Sequence, residues 1–127
     1  MKLRITAKYI DELTEKYCSE NKQTVGGYSM KRKFFQIYPI IYIVLVNEEE
    51  LVLVRLTALG NVHSAVSYSP SDFTSLKLSR KILSTKLGIV FANKKKLNLF
   101  LQRKIIGLSN NQKITIEMLQ KFSEKVH

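Results

Sequence analysis

The sequence predicts an α+β domain of α/β type, with a central mixed β-sheet flanked by helices. Residues 34–46, 51–59 and 62–69 ("FFQIYPIIYIVLV", "LVLVRLTAL", "VHSAVSYS") are closely spaced runs rich in β-branched and aromatic residues, the composition of strands. The runs are apolar on both faces, so the sheet they form is expected to be covered on two sides. Segments of helical spacing precede them, follow them and close the chain. At 127 residues the chain is expected to be one domain, 1–127, large enough for a core of its own.

Along the chain, Thr6 to Glu20 places Tyr9, Ile10, Leu13 and Tyr17 on one helical face, with Thr6 as N-cap. The Gly26-Gly27 pair then predicts a flexible or tightly turned loop, after a short strand near Thr24, ending in Lys31, Arg32 and Lys33. Pro39 restricts the first paired strand to the residues after it. "NEEE" turns into the second strand and "GN" into the third. From Ser69 to Lys86 the period changes: Phe73, Leu76, Arg80 and Leu83 share a face, Pro70 precedes and Ser71 can cap, which predicts a second helix. "LGIVFAN" reads as a buried strand. Residues 94–106 fit either a strand, with Leu97, Leu99 and Leu101 alternating, or a helix, and the strand with an extended tail is preferred. "KITIEMLQKFSEKV" closes the chain as a helix capped by Thr115, with Ile114 stapled on Leu119.

Charge narrows the function. Twenty-one Lys and Arg against ten Asp and Glu leave a formal +11. The excess is one-sided, because Leu51 to Ile116 holds eleven basic residues and a single acid, Asp72. Such an imbalance is the electrostatic footprint of a polyanion partner, and nucleic acid is favoured over an anionic membrane because no long amphipathic helix carries the charge. The longest uninterrupted apolar run, Pro39 to Val46, is too short to span a bilayer, and a soluble, cytoplasmic protein is expected. A lone Cys18, read as a small buried hydrophobe, excludes an internal disulfide. With only His63 and His127 beside it there is no zinc spacing, so neither metal nor cofactor is expected.

The candidate contacts to a nucleic acid are cations that reach phosphates: Lys31, Arg32 and Lys33 in the glycine loop, Lys77, Arg80 and Lys81 on the second helix, and the Lys94, Lys95, Lys96 turn. Ser29, beside Tyr28, can contact a sugar or phosphate, or cap a turn. Arg55 can meet a phosphate through its guanidinium fork, pair with one of Glu48, Glu49 and Glu50, or extend along the strand end. Glu48 to Glu50 read as a solvated turn, and His63 as a structural or surface histidine. Phe34, Phe35 and Tyr38 sit in a run that reads as core, so no single-strand stacking platform is evident.

The expected order α-β-β-β-α-β-β-α resembles the restriction-endonuclease-like core of PD-(D/E)xK nucleases, and most of all archaeal Holliday junction resolvases. "GGYSMKRK" is similar to that family's Ser-containing basic loop, "YPIIYIVLVNEEELVLVRLTA" to its catalytic hairpin, and "SPSDFTSLKLSRKILSTKLGIVFANKKKLNLF" to its helix-then-strand segment. "IIGLSNNQKITIEMLQKFSEKV" resembles its last helix. The departures lie in the metal ligands. The family's Asp falls on Ile40, Ile41 and Tyr42, its Glu-x-Lys on Arg55-Leu56-Thr57, and its helix carboxylate near Tyr9 or Ile10. The resemblance thus implies a non-catalytic relative that binds duplex DNA or a four-way junction as a homodimer. An active resolvase or another recombination protein is a further partner it implies. Two alternatives stand beside it: a protein-interaction module on an inactivated scaffold, and an active nuclease whose carboxylates have moved to Asp11, Glu12 or Glu48 to Glu50. Phosphate contacts alone do not separate DNA from RNA.

Overall fold

The computed structural model describes residues 5–18, 23–31 and 40–126. Helix α1 (Ala7–Tyr17) begins where the sequence predicts: the Thr6 hydroxyl accepts the Tyr9 N–H at 3.2 Å, and Ile10 and Leu13 are buried. Seven strands follow: β1 (Val25–Lys31), β2 (Ile40–Val46), β3 (Leu51–Leu56), β4 (Val62–Tyr68), β5 (Phe73–Arg80), β6 (Ser84–Phe91) and β7 (Lys96–Gln102). Helix α2 (Ser109–Ser123) is the last described element. All seven strands join one sheet in the order β4-β3-β2-β1-β7-β6-β5, and every pairing is antiparallel. No described helix is long and apolar enough to cross a bilayer.

Two apolar clusters divide the faces of this sheet. One joins Val44, Leu53, Leu76, Leu87 and Leu99 to Leu119 and Phe122, so α2 seals a core shared by both halves of the sheet. The other lies on the opposite face, where Ile10 and Leu13 of α1 pack on Ile43, Leu45, Val52 and Val54. Helix α1 covers the β1–β4 half alone. The two-sided burial expected for the three runs is present in β2 and β3 but not in the edge strand β4, where His63, Ser64, Val66 and Ser67 are exposed, and it does not extend to β5–β7.

Gly26 and Gly27 lie in mid-strand, which corrects the loop predicted from them. A Cβ on Gly26 would collide with Ile10 of α1 and come within 2.7 Å of Leu45. A Cβ on Gly27 would lie 2.8 Å from Oε1 of Gln112 and 3.1 Å from Cβ of Thr115 on α2. One glycine admits each helix to the sheet. β1 and β7 share a single register pair, Met30 with Phe100, and the buried Gln112 bridges the gap beside it. Its Nε2 donates to the carbonyls of Tyr28 (2.7 Å) and Gln102 (2.9 Å), and its Oε1 accepts the Tyr28 N–H (2.6 Å).

The predicted second helix is a short 3-10 turn (Pro70–Asp72) followed by β5. A bulge between Phe73 and Ser75 brings Phe73 and Leu76 to the same face three residues apart, and that spacing mimics a helix. The observed order is therefore α-β-β-β-β-β-β-β-α, and the sheet is antiparallel where a mixed one was expected. The final helix starts at Ser109, so Thr115 is a buried mid-helix residue and not a cap, and Ile114 is partly exposed. The preferred strand at 94–106 is present as β7, with Leu97, Leu99 and Leu101 inward. Cys18 is the half-buried C-cap of α1. Desolvation, with the Glu50 carboxylate adding to it against a hydrogen bond from Thr24, pushes its thiol up to about 11.

Candidate functional site

The face of β5–β7 that α1 does not cover carries a cluster of cations, and none of the described residues of these three strands is acidic. Strand alternation sends Leu76, Leu78, Leu87, Ile89, Leu97, Leu99 and Leu101 to the core, so their neighbours point outward. Register sets these outward residues in rows across the three strands: Ser75, Val90 and Lys96; Lys77, Gly88 and Asn98; Ser79, Lys86 and Phe100. Lys77 and Lys86 stand one strand and one row apart, about 8 Å between Cα atoms from strand spacing and rise. Gly88, at the middle of the face, has no steric reason to lack a side chain, because a Cβ there meets nothing closer than 3.6 Å.

Each end of the face adds cations. At one end the β6–β7 turn presents Lys94 and Lys95; Lys94 holds φ +72° while Oδ1 of Asn93 accepts the Lys95 N–H at 3.0 Å. At the other, Arg80 ends β5 opposite Thr85, on the core-facing side of the alternation, and Lys81 leads into the β5–β6 turn. Between Phe73 and Ile116 the chain has ten Lys and Arg and no acid. Lys77, Arg80, Lys81, Lys94, Lys95 and Lys96 are exposed and Lys86 is half-exposed. These seven cations spread over a strip as long as β6, roughly 26 Å, or about eight phosphate steps of one DNA strand.

The other predicted contacts lie elsewhere. Ser29 is fully buried and its hydroxyl donates to the Tyr42 carbonyl at 2.8 Å, a structural bond that corrects its assignment to a nucleic-acid contact. Lys31 ends β1; Arg32, Lys33 and the aromatic run of Phe34, Phe35 and Tyr38 fall outside the described residues. Arg55 is half-buried opposite Tyr42, on the other face of the sheet and in its other half, beside a surface depression with Thr57 and His63. It stands at the far end of β3 from Glu48 to Glu50, and so does not pair with them. Asn47 organises that acidic turn through Oδ1, which accepts the N–H groups of Glu49 and Glu50. Among the described residues, no three of His, Cys, Asp and Glu come together as a metal-ligand group.

Lys86 and Asn98 were not singled out in the sequence as contacts. Reading 73–91 with period two would have placed Lys86 beside Lys77. Arg103, one of the eleven basic residues of the rich segment, is engaged with the backbone: its guanidinium donates to the carbonyls of Lys81, Ile82 and Ser84. That role depends on tertiary contact and leaves no local signal. Compared with known proteins, the chain matches no family model and no curated protein.

Proposed function

We propose that this chain is a non-catalytic nucleic-acid-binding protein that holds backbone phosphates against the outer face of β5–β7. The observation that carries this reading is the strip that α1 does not cover: Lys77, Lys86 and Lys96 in register on the outward face of three strands, Arg80, Lys81, Lys94 and Lys95 at its ends, and no carboxylate in the segment to neutralise them. The cations and the amide of Asn98 are suited to phosphate and sugar contacts along a backbone, so shape would be recognised more than base sequence. Duplex or branched DNA is the expected ligand, and a homodimer would present two such faces. The likeness to junction resolvases lends less support than the charge does, because a strand stands where that core has its central helix. Modulation of an active resolvase remains part of the proposal only through that likeness.

The test is a binding titration against a four-way junction, linear duplex, single strand and duplex RNA across a salt series, with and without manganese. If six phosphates of B-DNA are neutralised, log Kobs should fall against log salt with a slope near −5, following about −0.9 per phosphate. The Lys77→Gln/Lys86→Gln/Lys96→Gln variant should keep the fold and flatten the slope by roughly 3. Absence of binding at low salt, or an unchanged slope in the variant, would refute the reading. Cleavage that a chelator abolishes would contradict its non-catalytic part.

A further inference from the structure

The connection between β5 and β6 breaks the turn chemistry that the other hairpins follow. The Lys81 N–H donates to the Ser84 carbonyl at 2.8 Å, which closes a two-residue tip of Ile82 and Leu83. Tight two-residue hairpins favour residues with positive φ such as Asn-Gly, yet neither tip residue has one. Elsewhere Gly60 (φ +90°), Asn47 and Asn93 serve the turns. Here two aliphatic side chains occupy the tip, 92% and 79% exposed, with no packing gain to offset their exposure.

The tip is braced. The Arg103 guanidinium holds the carbonyls of Lys81 (2.8 Å), Ile82 and Ser84, and the Arg103 N–H donates to the Leu83 carbonyl at 3.2 Å. Ile82 and Leu83 are therefore held outward, and they share a surface groove with Arg80, Lys81, Phe100 and Gln102, the last two from the outer face of β7. An apolar point stands at the end of a cationic strip and is continuous with it.

We infer that the Ile82–Leu83 tip is a wedge that enters the base stack of a nucleic acid whose phosphates lie on the β5–β7 face. This rests on the nucleic-acid reading and sharpens it. Aliphatic side chains inserted at a base step unstack it while flanking cations hold the adjacent phosphates. A duplex end that opens into single strands has already met that unstacking cost. The favoured ligand is therefore a forked or branched duplex, with Arg80 and Lys81 on the phosphates flanking the opening.

The test uses the full chain and a forked duplex carrying 2-aminopurine at the last pair before the branch, with a blunt duplex of the same sequence for comparison. Binding should raise the 2-aminopurine fluorescence, and the fork should bind about ten-fold or more tightly than the blunt duplex. Ile82→Ser/Leu83→Ser should abolish the fluorescence rise and the preference while keeping blunt-duplex affinity, which also shows that the variant is folded. Equal affinity for both duplexes with no fluorescence change would overturn the wedge and leave the face reading intact. No binding of any nucleic acid would remove both. If the tip variant instead loses binding to phosphatidylglycerol vesicles while its fork binding matches wild type, the tip is a lipid anchor and the wedge is refuted.

Discussion

Gln112 does for the sheet what a strand residue would otherwise do. Its carboxamide makes three hydrogen bonds to backbone groups of Tyr28 and Gln102 where β1 and β7 separate. Gln112→Ala should therefore destabilise the fold by about 3 kcal/mol, since unpaired buried polar groups each cost on the order of 1–3 kcal/mol. Thr115, one helical turn on, has a buried hydroxyl without a partner, so Thr115→Val should be neutral or stabilising. Urea unfolding of both variants checks the pair, and equal losses would contradict this account. Neither role was legible in the sequence, where Gln112 reads as one polar residue in "SNNQ" and Thr115 as a cap. A side chain that completes a sheet between strands distant in sequence leaves no local pattern, and the same holds for Arg103.

Elements were legible where an uninterrupted run of residues set the pattern. Helix α1 was visible through Thr6 and the spacing of Ile10 and Leu13, and β2, β3 and β4 through their apolar runs and turn residues. β5 was not, because the bulge after Phe73 inserts one residue and turns an alternation of two into an apparent period near three. The Gly26-Gly27 pair misled for a different reason. Glycine signals a turn or a close approach equally well, and here a helix presses on each face of β1. Gly26→Val should accordingly cost about 1–3 kcal/mol, the range for over-packing a filled core, because Ile10 and Leu45 would have to move. A thermal midpoint equal to wild type would show that α1 docks more loosely than described.

At the scale of the whole molecule, composition revealed that the chain is built for a polyanion but not where the polyanion would sit. The excess of cations between Leu51 and Ile116 was evident, yet its organisation depends on antiparallel pairing of β5, β6 and β7 and on α1 covering only the other half of the sheet. Read as a helix, residues 73–83 scatter Lys77, Arg80 and Lys81 around an axis; as a strand, β5 places Lys77 beside Lys86 in an open face. The most direct measurement is a titration of the 15N-labelled protein with a short DNA duplex, followed by amide chemical shifts. The account predicts that the shifts concentrate on the outward residues of β5, β6 and β7, from Lys94 to Lys81, and fade with added salt. Shifts centred instead on Arg55, Thr57 and His63, or on α1, with β5–β7 unmoved, would contradict it.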